Sequence, residues 1–185
     1  MPSRLVNAVQ SRFRRRINRA PSPFVARSVP WLSIMFASVL PAWLFVASAP
    51  YVPPFGFLTL LAWRQLRPGL LPVWAGFPLG FFDDLYSGQP LGSAILLWSL
   101  AMIVLEVIEL RFPWRNFALE WALATALILV YIVAALGAAN AAGGGAHVGV
   151  LAPQVILAVL VYPFVGRVVA AFDKFRLIPF MDMSR

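Results

Sequence analysis

The stretch "YVPPFGFLTLLAWRQLRPGLLPVWAGFPLGFFDD", residues 51–84, holds two apolar runs separated by Arg64 and Arg67 and closed by two adjacent aspartates. Whether these runs cross a bilayer decides the fold. Residues 51–63 and 69–82 are each shorter than the roughly 20 residues a straight spanning helix needs. They either cross as short or broken helices or re-enter from one side as a hairpin. A hairpin tip would hold both arginines inside hydrocarbon, at about 2.5 kcal/mol or more each on insertion scales, so crossing is the expected arrangement.

The rest of the chain sets the same context. Of its 185 residues 61% are hydrophobic and 12% charged, well outside the balance of soluble domains. A first span is expected from about Ser28 to Ala49, with Pro30 in its first turn and Pro41 as a kink. The "ASA" at 47–49 resembles a signal-peptidase site, but the apolar region before it is longer than the 7 to 15 residues typical of a signal peptide. Later spans are expected over 91–110, 117–137 and 147–171, the last carrying Pro153 and Pro163, with "AANAAGGGAH" at 138–147 as a flexible loop. The expected fold is an all-α polytopic membrane protein with six transmembrane helices, the second and third short. Cysteine is absent, which removes disulfides and thiol chemistry.

Charge gives the orientation. With the amino-terminal arm in the cytoplasm, six crossings put Arg64 and Arg67, then Arg111 and Arg115, then Lys174, Arg176 and Arg185 on the cytoplasmic side, and no Lys or Arg on the other. That agrees with the positive-inside rule at every loop, and a hairpin would leave the two ends on the same sides. Arg167 lies near the inner end of the last helix and can snorkel. Three parts follow: a cytoplasmic Arg-rich arm at 1–27, a six-helix membrane domain at 28–172 and a cytoplasmic tail at 173–185. In the arm, Leu5, Val9, Phe13 and Ile17 recur every four residues among Arg12, Arg14, Arg15, Arg16 and Arg19. A helix there would present one apolar stripe to an anionic membrane surface, and Pro21 and Pro23 would end it. A disordered basic tail that only fixes topology is the plainer reading; nucleic-acid binding ranks below both.

Asp83 and Asp84 fall at the C-terminal end of the third span, where the helix dipole disfavours a carboxylate. Gly76, Gly80, Asp84, Gly88 and Gly92 follow one another every four residues. While the segment is helical, Gly76, Gly80 and Asp84 share a face that admits a close helix, and Asp84 is placed to accept from amides near Ser93. Asp83 points about 100° away, toward water or headgroups. A carboxylate that only organises the loop is the simplest role; contact with a partner or a transported ion are the alternatives. Paired aspartates also suggest an intramembrane protease, but a dyad needs carboxylates converging from different elements. His147 is the single histidine, with no second ligand near it, so no metal or cofactor is expected. Glu106 and Glu109, one turn apart, and Glu120 are expected to pair with Arg64, Arg67, Arg111 or Arg115; alternatively Glu106, Glu109, Arg111 and Arg115 dock a cytoplasmic partner.

Gly80, Asp84 and the "SGQPLG" of 87–92, followed by an apolar helix, resemble the signature region of the MreD family of bacterial rod shape-determining membrane proteins. The resemblance in layout covers the whole chain. It carries a structural role to Gly80, Asp84, Gly88, Pro90 and Gly92. It implies a non-enzymatic inner-membrane subunit of the cell-elongation complex, partnered by MreC, MreB, RodA and a penicillin-binding peptidoglycan synthase. The family is similar in fold to the substrate-binding subunits of vitamin-uptake transporters, which supplies the alternative function. A transporter subunit should line a pocket with convergent polar side chains. The spans offer only Ser99, Thr125, Tyr131, Gln154 and Tyr162, which favours the scaffold.

Overall fold

The computed structural model describes residues 23–44, 52–112, 116–145, 147, 149 and 151–177. Within them lie six helices: α1 Pro23–Leu44, α2 Phe55–Leu66, α3 Gly76–Tyr86, α4 Ser93–Arg111, α5 Phe117–Ala141 and α6 Leu151–Arg176, with one 3-10 turn, Val73–Ala75, ahead of α3. The protein is all-α over these residues. Helices α4, α5 and α6 are each long and apolar enough to cross a membrane, and the chain is a multi-pass membrane protein.

The two short runs take unequal places. Every residue of α2 from Gly56 to Gln65 is buried, with α1 and α6 as its main neighbours and α5 touching it as well. Phe57 of α2 stacks on Tyr131 of α5 at 4.3 Å between ring centroids and lies 6.0 Å from Trp98 of α4. Around this axis run α3, α4, α5, α6 and α1, each in contact with the next, with α1 closing back on α3. A 12-residue helix is about 18 Å long, less than the hydrocarbon thickness of about 30 Å. From Gly56 to Gln65 α2 faces neighbouring helices instead of lipid, so its length need not match the bilayer.

Helix limits depart from expectation in several places. α3 begins at Gly76, seven residues after the expected start of the third span, and α2 runs Phe55–Leu66, past Arg64. α1 begins at Pro23, so residues 23–27 of the expected arm are helical and Pro30 lies inside the helix. Proline at a helix start leaves no donor unmet, and one turn past Pro30 the Ser33 Oγ donates to the Pro30 carbonyl at 2.9 Å. α5 continues to Ala141, four residues past its expected end, because "AANA" is rich in the best helix former; Gly143 at φ 100° then ends it, and its neighbour Gly144 donates to the Ala139 carbonyl. α6 runs to Arg176, into the expected tail.

Candidate functional site

The head of α4 has no cap of its own. Gly92, at φ 97°, supplies no side chain, and the first amides of any helix need acceptors. Asp84 of α3 supplies them. Its carboxylate accepts from the Gly92 amide at 2.9 Å, the Ala94 amide at 2.9 Å, the Ile95 amide at 3.3 Å and the Ser93 hydroxyl at 3.3 Å. Asp84 therefore sits near the unfavourable end of its own helix dipole and at the favourable end of the next. The amide contacts expected near Ser93 are present.

Two glycines make this capping possible. A β-carbon on Gly80 would lie 2.6 Å from the Ala94 carbonyl oxygen, and one on Gly76 would lie 2.8 Å from that of Trp98. The four-residue ladder of α3 thus meets a four-residue ladder of α4: Gly76 against Trp98 and Ser99, Gly80 against Ala94 and Ile95, Asp84 against residues 92–95. Gly88 and Gly92 continue the spacing in sequence only. Both have positive φ, 69° and 97°, and space around them, so they serve the turn between the helices. Pro90 lies in that turn, its carbonyl accepting from the Ser93 amide.

Asp83 is corrected. It does not face water or headgroups but is buried, beside the Ser38 hydroxyl of α1 and against Gly56 of α2, where an added β-carbon would come 3.1 Å from its Oδ1. The 100° offset from Asp84 is as expected; what lies there is α1, whose packing on α3 no local spacing reveals. The two carboxyls point to different helices, so they form no dyad.

A second polar cluster occupies the opposite end of the bundle. Arg64 is buried in α2 and pairs with Glu106 and with Glu109, the latter at 2.8 Å, while its Nη1 donates to the Leu71 carbonyl at 2.9 Å. Arg67 does not join the glutamates; it pairs with Asp173 at 2.7 Å. Asp173 also accepts from Arg176 Nε at 2.7 Å, and Arg176 Nη1 donates to the Ala26 carbonyl at 3.0 Å, tying α6 to α1 and to the α2–α3 connection. Arg111 is exposed at the end of α4. Arg115 and the arm arginines Arg12, Arg14, Arg15, Arg16 and Arg19 lie outside the described residues, as do Leu5, Val9, Phe13 and Ile17.

Sequence reasoning missed Asp173, which no motif marks, and Gln65, whose Oε1 accepts from Tyr162 at 2.7 Å and whose Nε2 donates to the Glu120 carbonyl at 3.1 Å. Two further polar side chains of the helices turn to backbone. Thr125 donates to the Trp121 carbonyl at 2.8 Å, and Gln154 to the Val52 carbonyl at 2.9 Å. No group of three or more His, Asp or Glu that could hold a metal occurs among the described residues.

The family model described as rod shape-determining protein MreD matches residues 22–167 of the chain. No curated protein and no solved structure matches it.

Proposed function

The chain belongs to the MreD family of rod shape-determining membrane proteins, and from that premise we propose that it is a scaffold subunit of the bacterial cell-elongation complex in the inner membrane. The family is non-enzymatic and works in rod-shape determination. The partners proposed are MreC, MreB, RodA and a penicillin-binding peptidoglycan synthase. The observation that carries the scaffold reading is the use of the polar groups inside the bundle. Asp84, Gln65, Thr125, Gln154 and Arg64 are each bonded to another helix or to backbone. A transporter subunit needs such groups directed at a common ligand.

The proposed topology has six crossings with both termini cytoplasmic. It is supported by the depth at which α2 ends. Arg64 meets Glu106 and Glu109, which lie 13 and 16 residues beyond Ser93 along α4. At 1.5 Å per residue that is roughly 20–24 Å from the Asp84 end, most of the way through a hydrocarbon core. The Arg-rich arm is proposed to lie on anionic lipid of the inner face. Around Glu106, Glu109 and Arg111, with Arg115, a cytoplasmic partner is proposed to dock, since Arg111 is exposed and Glu106 partly so.

A mild-detergent pull-down with mass spectrometry tests the function. Recovery of elongation-complex subunits is the expected result. An ATPase pair in their place would mean a transporter subunit and would overturn the scaffold reading.

A further inference from the structure

Between α2, α5 and α6, at the Arg64 end of the bundle, lies a groove of about 280 Å³ open to the side. Gln65 is on its floor, Phe117, Glu120 and Trp121 on one wall, and Pro163, Gly166 and Arg167 on the other. Gly166 keeps it open: a β-carbon there would meet nothing within 4 Å. Trp121 Nε1 reaches the Val159 carbonyl at 3.4 Å and holds α5 against α6 one turn further along. The amide of Gln65 is engaged on both sides, by Tyr162 and by the Glu120 carbonyl. The floor therefore asks for no polar ligand and suits an alkyl chain. Arg167 is exposed on the rim, and it makes no ion pair with any described residue.

We propose that this groove binds one anionic glycerophospholipid, an acyl chain lying over Gln65 and Gly166 and the phosphate meeting Arg167. The site is separate from the amino-terminal arm and rests on the proposed placement of α5 and α6 in the membrane, though not on which face is cytoplasmic. Charge decides for an anionic headgroup: of the two charged side chains in the lining, Glu120 has a partner within the protein, while Arg167 on the rim has no ion partner among the described residues, so an amphiphile whose acid group leaves the slot at Arg167 fits. Exposed Phe117 and Trp121 are residue types that settle at the headgroup level.

The test is native mass spectrometry of the full chain titrated with phosphatidylglycerol or with phosphatidylcholine of the same acyl chains. The wild type should retain one phosphatidylglycerol at a concentration at least about tenfold lower than phosphatidylcholine, a preference of about 1.4 kcal/mol. Arg167→Gln should abolish that preference, and Gly166→Leu should weaken both lipids. Lys174→Gln, which removes another exposed cation, should change neither. Both test positions are clear of tight packing, so lipid-free melting temperatures should match the wild type. If Gly166→Leu lowers its melting temperature, the groove can instead be filled after folding by attaching a long-chain alkyl maleimide to Gly166→Cys, the chain having no other cysteine. Equal lipid retention by wild type and variants would overturn the proposal. So would competition by inorganic phosphate as effective as the lipid, which would make the site one for a free anion, or cross-linking of Gly166→Cys to a protein in native membranes. None of these outcomes bears on the pull-down, so this site and the scaffold reading can fail separately.

Discussion

A carboxylate that meets three amides at the head of a neighbouring helix is held by charge-assisted hydrogen bonds. One buried beside a single hydroxyl has little to offset its lost hydration. Asp84 is in the first position and Asp83 in the second. The neutral isosteres should separate them. Asp84→Asn keeps one acceptor and turns an amide group toward the amides of residues 92–95, a cost of about 1–3 kcal/mol. Asp83→Asn relieves a buried charge and should leave stability unchanged or raised. Detergent melting temperature, read beside rescue of rod shape in a deletion strain, checks both; a larger loss at Asp83 would mean that its site is the better solvated of the two. The direction of Asp84 was legible because a four-residue period names a helix face from sequence alone. The burial of Asp83 was not, because it depends on α1, some 40 residues earlier in the chain, and no periodicity within α3 reports which helix lies on its other side.

At the scale of helices, two contacts fix the arrangement from opposite ends. The α3–α4 pair depends on backbone meeting backbone, so even one methyl on Gly80 must part the helices. Gly80→Ala should cost about 1–3 kcal/mol as overpacking and lose shape rescue, while Gly166→Ala, with open space at its β-carbon, should be silent. Equal effects of the two in the same melting assay would mean that the ladder is slack. At the other end Asp173 clasps α6 to Arg67 and accepts from Arg176. Removing the anion leaves a buried guanidinium without its counter-charge. Asp173→Asn should therefore lower the melting temperature, and Arg67→Gln, which removes the exposed partner alone, should lower it less; equal effects would mean that the buried Arg176–Asp173 pair adds nothing. The Gly ladder could be read from sequence because it lies within one short segment. The clasp could not, since Arg67 and Asp173 are 106 residues apart and each alone resembles a solvated interface charge.

For the whole molecule, the arginines legible in the sequence as topology signals are also the residues that tie the bundle at one end. Arg64, Arg67 and Arg176 bond to three other elements there, while Asp83, Asp84, Ser38 and Ser93 gather at the opposite end. Such polarity suits a helix set that alternates direction at each connection. What the sequence withheld is why α2 can be so short, because full burial of a helix is a property of its neighbours and not of its own composition. The arrangement leads to a specific expectation for the α2–α3 connection. If α2 carries Arg64 to the level of Glu106 and Glu109, residue 66 shares a membrane face with residues 113 and 180. Reporter fusions at 66, 113 and 180 should then read cytoplasmic, and those at 50, 88 and 145 periplasmic. A re-entrant hairpin predicts a different result at 66 alone, where the reporter would be held within the membrane or on the periplasmic side. A periplasmic signal there would remove the six-crossing topology and leave Arg64 and its glutamates as a buried cluster below the interface, whose burial would then cost several kcal/mol that only a functional requirement could justify.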